Sequence, residues 1–136
     1  MKRIDIDNLE FGDDDEFLLD GKPFTGIGYS KYKNGQLREE LHYQDGYPLG
    51  LCRTWYENGQ LAEEWIAERG VAPARTTEWY DSGQLKSQCI RECGVDLEYT
   101  EWDRDGKVLS TKELEEGSIW YEILLKRREI KADRNK

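Results

Sequence analysis

The chain is poor in the residues from which active sites are usually assembled. Its 136 residues include one histidine, His42, and one methionine. His42 has no nucleophile motif around it and no candidate triad elsewhere, so it is expected to be structural. The glycines sit in turn-like dipeptides with no lysine placed as in a phosphate-binding loop. The three cysteines, Cys52, Cys89 and Cys93, are odd in number and lack the spacing of a disulfide framework, which points to reduced thiols in a cytoplasmic setting. Cys89 and Cys93 lie four apart, but one histidine and no second cysteine pair make a poor zinc site. No apolar run approaches the roughly 18 residues of a membrane span. Met1-Lys2-Arg3-Ile4-Asp5 leads into acids rather than into the apolar stretch of a signal peptide. The expectation from these absences is a protein that is not an enzyme, with no cofactor, no metal and no membrane span.

Positive charge is also in deficit. Twenty Lys and Arg stand against 29 Asp and Glu, a net charge of −9. Such a field repels nucleic acid and anionic lipid and attracts basic partners. The run Asp13-Asp14-Asp15-Glu16 reads either as a solvated loop or as an acidic patch for a cationic groove. Met1–Arg3 and Lys131–Lys136 read as frayed ends.

Aromatics and glycine are what the chain does have, with 5 Trp, 8 Tyr and 13 Gly, and they are periodic. Tyr32-Lys33-Asn34-Gly35-Gln36-Leu37 recurs as Tyr56-Glu57-Asn58-Gly59-Gln60-Leu61 and as Tyr80-Asp81-Ser82-Gly83-Gln84-Leu85. Gly35, Gly59 and Gly83 are 24 residues apart, and a weaker copy follows around Gly106. Asn-Gly between alternating strands is the strongest short-range hairpin signal, and a two-residue turn of this kind needs φ > 0 at both positions. A second set, Asp20-Gly21, Asp45-Gly46, Arg69-Gly70, Cys93-Gly94 and Glu116-Gly117, falls between the first. With about ten residues between turns, the chain reads as an all-β, elongated antiparallel meander of repeated hairpins.

The reading divides one domain, residues 1–136, into an acidic lead-in (1–16), hairpin repeats (17–125) and a basic tail (126–136). In Ser118–Lys131, alternation of Ile119, Tyr121, Ile123 and Leu125 favours a strand, while Leu124, Lys126, Arg127 and Arg128 would also extend a helix.

With Asn58-Gly59 as a two-residue turn, Trp55 pairs with Ala62, Arg53 with Glu64 and Cys52 with Trp65. One face then carries Tyr32, Leu37, Leu41, Tyr43, Cys52, Tyr56, Leu61, Trp65, Tyr80, Leu85 and Cys89, and is expected to be structural. The other carries Trp55, Trp79 and Trp102 among Lys31, Arg38, Glu40, Arg53, Glu64 and Lys86. Trp and Arg dominate interface hot spots, so Trp55, Trp79, Trp102, Glu40, Glu64 and Arg53 are the candidate partner-binding residues. The alternative is that these indoles pack under the termini.

The unit Tyr-x-Asn-Gly-Gln-Leu, with Asp-Gly about nine residues later, resembles the MORN-repeat variant. Gly50–Leu61 carries the pattern most fully, and Asp20-Gly21-Lys22-Pro23-Phe24-Thr25-Gly26 resembles its leading half. The likeness spans about Gly21 to Gly117. Ser82 in place of Asn, and Val108 in place of Leu in a copy without Tyr, depart from it as terminal repeats do. Such repeats are typical of YwqK-like bacterial antitoxins. The resemblance therefore implies an antitoxin or immunity protein that neutralises a cognate toxin, expected to be basic. The alternative it implies is an interaction scaffold or peripheral envelope protein.

Overall fold

Strand follows strand because a glycine-centred reversal interrupts the chain before any helix can grow. The computed structural model describes residues 1–68 and 73–135. Its main sheet holds nine strands: β1 (Arg3–Asp5), β5 (Gly26–Lys31), β6 (Leu37–Gln44), β7 (Tyr47–Trp55), β8 (Leu61–Ala67), β9 (Arg75–Trp79), β10 (Leu85–Glu92), β11 (Val95–Trp102) and β12 (Val108–Glu113). From β5 to β12 each strand pairs antiparallel with the next, as a meander should. Only β1 departs from it, running parallel to β5 at the edge. A second sheet of three short strands, β2 (Glu10–Phe11), β3 (Phe17–Leu19) and β4 (Lys22–Pro23), is formed by the chain between β1 and β5. Nine strands at about 4.8 Å make the main sheet roughly 38 Å wide, more than any of its strands is long.

The two sets of turns differ in kind. At Gly35, Gly59, Gly83 and Gly106 only the glycine is left-handed, with φ between 87° and 93°. Asn34 and Asn58 are not, so these are three-residue loops rather than two-residue turns. The Gly59 N–H donates to the Tyr56 carbonyl at 3.0 Å, and the Tyr56 N–H to the Gln60 carbonyl at 2.9 Å. At Asp20-Gly21, Asp45-Gly46 and Cys93-Gly94 both residues are left-handed, the type I′ arrangement. Arg69-Gly70 lies outside the described residues. Cys93, at φ 51°, is a side chain that gains nothing from this conformation. Cys93→Asn is expected to raise stability by about 0.5–1 kcal/mol in urea melts, because asparagine tolerates the left-handed region.

The longer loop changes the register near each turn. Thr54 pairs with Glu63 but Trp55 with Leu61, leaving Ala62 as a bulge. The same slip leaves out Arg38, Lys86 and Leu109. A one-residue shift moves a side chain to the opposite face. Lys31, Trp55, Trp79 and Trp102 therefore pair directly with Leu37, Leu61, Leu85 and Val108, and the expected ladder of Tyr with Leu on one face is not formed. Arg38 and Lys86 turn to the other side. Arg38 Nε donates to Ser30 Oγ at 3.2 Å, and Lys86 Nζ lies 4.0 Å from Glu78.

The repeat motif has a job for each residue. The hydroxyls of Tyr32, Tyr56 and Tyr80 donate to the carbonyls of Trp55, Trp79 and Trp102, one hairpin further on, at 2.6, 2.6 and 2.7 Å. Asn58 Oδ1 accepts from the Gln60 N–H within its own loop, and its Nδ2 donates to the Asp81 carbonyl of the next. Asn34 does the same toward Glu57. Ser82 is too short for the second bond, and an Arg104–Asp81 ion pair at 2.7 Å ties the third and fourth loops instead. Tyr56→Phe removes one rung and leaves a half-buried carbonyl unpaired, a loss expected to be about 0.5–1.5 kcal/mol in chemical denaturation.

The chain ends in a helix, not a strand and a tail. α1 spans Ile119–Arg134, and Ser118 caps it, Oγ accepting from the Tyr121 N–H at 3.2 Å. Gly117, at φ 83°, turns the chain into it. The apparent alternation was outweighed by a run of good helix formers free of Gly and Pro. Leu124 is buried, Arg127 Nη1 donates to the Cys93 carbonyl at 2.8 Å, and Arg128 pairs with Glu92, which docks α1 against β11. Arg3 in β1 and Lys131–Arg134 in α1 are likewise ordered elements rather than frayed ends. Residues 125 and 126 fall inside α1, and residue 16 directly precedes β3.

Candidate protein-binding face

Strand pairing assembles the side chains into continuous rows. One row runs Gly28, Leu41, Cys52, Trp65, Thr76, Cys89, Tyr99, Lys112 across eight strands. Two residues along, on the same face, runs Ser30, Glu39, Thr54, Glu63, Glu78, Ser87, Glu101, Ser110. The opposite face carries Tyr29, Glu40, Arg53, Glu64, Thr77, Gln88, Thr100, Thr111.

Carboxylates are partly paired on both faces, and Glu98 and Glu113 of the second face stand opposite each other with no ion pair among the described residues. On the second, Glu40 is paired with Arg3 at 2.8 Å and Glu64 with Arg53 at 2.7 Å. On the first, Glu39 lies 3.7 Å from Arg38 and Glu78 4.0 Å from Lys86, while Glu63 and Glu101 have no ion pair among the described residues. Glu63 and Glu78 stand directly opposite each other. Like charges so placed repel. Burial and then the charge of Glu78 push the Glu63 carboxyl up from its ordinary value. Burial, followed by Glu101 and Glu78, pushes the Tyr99 hydroxyl up as well.

The first face is covered at the end near β5 and β6. There the small sheet lies over it, with Phe17 and Phe24 against Tyr43 at ring distances of 5.2 and 5.7 Å. This end is structural, as expected from Leu41, Tyr43 and Cys52. Over β8–β11 the face opens into a groove of about 360 Å³ lined by Trp65, Thr76, Cys89 and Tyr99, by Glu63 and Glu78, and by Arg91, which is held by Asp96 at 2.5 Å. A larger cleft of about 800 Å³, also lined by Tyr99, continues under the start of α1. The arrangement is an aromatic floor beside two opposed carboxylates, with Lys86 4.0 Å from Glu78, and it offers cationic side chains both a ring face and a charge partner.

The candidate residues of the second face are brought together, though their charges are internally satisfied. Glu40, Arg53 and Glu64 are consecutive in one row. Trp55, Trp79 and Trp102 lie two residues along from Arg53, Thr77 and Thr100 of that row, half-buried, and their carbonyls receive the tyrosine hydroxyls. Asn34, Gly35, Asn58, Gly59, Gly83 and Gly106 are all in hairpin loops. His42 Nδ1 lies 2.5 Å from the Leu51 carbonyl, beside a register shift in β6. Asp13–Asp15 form an exposed loop. Sequence reasoning missed Glu63, Glu78, Glu101, Trp65 and Tyr99 as a group. Half of the signal was present: Glu39 and Glu63 are one repeat apart. The other half, Glu78 and Glu101, needs the strand register.

No group of three or more His, Cys, Asp or Glu is placed to hold a metal ion among the described residues. No helix among them is long and apolar enough to cross a membrane.

Residues 24–45 and 48–66 match the MORN repeat variant family. The matched segments run from Phe24 through β6 and from Pro48 through most of β8, two successive hairpin repeats. They are similar to a repeat whose stacked hairpins suit a protein-interaction scaffold. No curated protein and no solved structure matches the chain.

Proposed function

We propose that the protein is an antitoxin or immunity protein that binds a basic toxin through the acidic groove of its sheet and blocks it sterically. The observation that carries this reading is the direct opposition of the Glu63 and Glu78 carboxylates beside a floor that holds Trp65 and Tyr99. Glu63 and Glu101 have no ion pair among the described residues, and Glu78 has only Lys86 at 4.0 Å. A net charge of −9 adds long-range attraction that speeds association with a basic protein. The repeat supplies a rigid platform, because each hairpin is bonded to the next through Tyr and Asn side chains.

The test is co-purification with the toxin encoded beside its gene, followed by titration calorimetry at rising salt. A stable complex that inhibits the toxin and weakens steeply with salt is expected. A neighbouring toxin that is neither bound nor inhibited overturns the antitoxin reading. Capture of basic structural proteins instead would favour the scaffold.

A further inference from the structure

The sheet occupies only one side of α1. At about 100° per residue, Leu124 and Arg128 share the docked side, where Leu124 is 1% exposed and Arg128 pairs with Glu92. Ile119, Ile123, Lys126 and Ile130 fall within about 60° of one another on the far side. Ile119 is 73% exposed, Ile130 is 53% exposed and Ile123 is half-buried. Steps of four, three and four residues are the d and a positions of a heptad. In that frame Glu122 and Glu129 are g residues, while Arg127 and Arg134 are e residues on the other flank of the stripe. Trp120, also exposed, takes the e position beside Ile119. Among the described residues Glu122, Lys126, Glu129 and Arg134 make no ion pair. The stripe stops at Asp133, the next d position.

We propose that α1 pairs in parallel with α1 of a second copy of the chain, as a short two-stranded coiled coil with a sheet on either outer side. Charge fixes both the occupant and its direction. In a parallel pair each g residue faces the e residue of the following heptad across the seam. Glu129 then meets Arg134 of the second copy, and Glu122 meets Arg127, each twice by symmetry. Arg127 Nη1 already holds the Cys93 carbonyl, and its guanidinium has further N–H groups to offer. An antiparallel pair would set acid against acid and arginine against arginine. A lipid surface would desolvate Glu122 and Glu129 at the margin of the stripe. Ile123 and Ile130 stand at a, where a β-branched residue favours two parallel strands. Lys126 at d is the weak point: its stem lies along the seam while its ammonium reaches water, which makes the association concentration-dependent. None of these residues lines the Glu63–Glu78 groove, so a dimer carries two grooves and gains avidity for a dimeric target.

Sedimentation velocity of the full chain over a wide range of concentration reads the association directly. A monomer–dimer equilibrium is expected. Ile130→Asp should raise its Kd at least about tenfold, and Lys126→Leu, which completes the seam, should lower it about tenfold. Glu129→Arg and Arg134→Glu should each weaken self-association about threefold or more, and an equimolar mixture of the two should restore it as a heterodimer. All four substitutions are at exposed positions, and unchanged far-UV spectra verify the fold. A parent chain that stays monomeric at every concentration overturns the proposal. Tighter self-association in Glu129→Arg assigns an antiparallel pair and overturns the parallel one. Dimerisation indifferent to both Ile130→Asp and Lys126→Leu places the contact elsewhere and also overturns it. Binding of a monomeric chain to vesicles of anionic phospholipid, lost in Ile130→Asp, gives the stripe to a lipid surface instead.

Discussion

Tyr43→Ala is expected to lower the unfolding free energy by about 3–5 kcal/mol, the range for deleting a buried aromatic ring. Tyr43 is 4% exposed and joins the two sheets, with Phe17 and Phe24 on either side. Gly28 has no side chain because the ring occupies the space: a Cβ there would lie 2.7 Å from Tyr43 Cε2. No rearrangement of the short β2–β4 strands could refill such a hole. Domains of this size are stable by only about 5–15 kcal/mol, so the variant should unfold at much lower urea. A loss below about 1 kcal/mol would contradict the role assigned to the ring. The hydroxyl gives a second readout. Burial, then Glu39 and Cys52, pushes its pKa from 10.0 to about 12. The neutral form is favoured in the fold, so the stabilisation is complete below pH 10 and is lost between pH 10 and about 12. Tyr43→Phe should abolish that alkaline loss and change neutral stability little.

The double variant Glu63→Gln/Glu78→Gln is expected to separate folding from binding. Removing two opposed carboxylates relieves a repulsion worth roughly 0.2–1 kcal/mol, so the variant should melt higher than the parent at neutral pH. Because the Glu63 carboxyl is raised, its protonated form is favoured in the fold. That contribution is present at low pH and is lost as pH rises through the raised value, a profile that should flatten in the variant. Affinity for a basic partner should move the other way, falling about 10–100-fold, since each truncated charge leaves a partner cation desolvated and unpaired. Glu64→Gln, on the opposite face, should do neither: it disrupts the ion pair to Arg53 without touching the groove. Unchanged affinity in the double variant would remove the groove from the binding surface.

Local chemistry made the strands legible. Asn-Gly and Asp-Gly reversals impose the meander whatever packs against it, and the period of Tyr32, Tyr56 and Tyr80 announced the repeat. The type of turn was not legible, because Asn58-Gly59 suits a two-residue and a three-residue loop equally. What the three-residue loops share is a cap inside the loop, Asn34, Asn58 and Ser82 each accepting from the N–H two residues on. That single extra residue displaced Arg38, Lys86 and the leucines from their expected faces. α1 was misread because Ile119, Tyr121, Ile123 and Leu125 alternate by coincidence, whereas the cap at Ser118 decides. The acidic groove was half legible, in Glu39 and Glu63. Its other carboxylates, Glu78 and Glu101, are far along the chain and meet Glu63 only through β9 and β11.

The hydroxyl-to-carbonyl links between hairpins all point the same way along the chain, from Tyr32 to Trp55, Tyr56 to Trp79 and Tyr80 to Trp102. The fourth loop, with Asp103 where a tyrosine would stand, offers no further donor. Length is therefore quantised. Splicing in a copy of one 24-residue unit would preserve every link and move α1 away from the aromatic cluster at Tyr43 by about 9–10 Å, two strand spacings. The fold is a gauge whose setting is the number of hairpins, and evolution can match it to the width of a new target without redesigning either end.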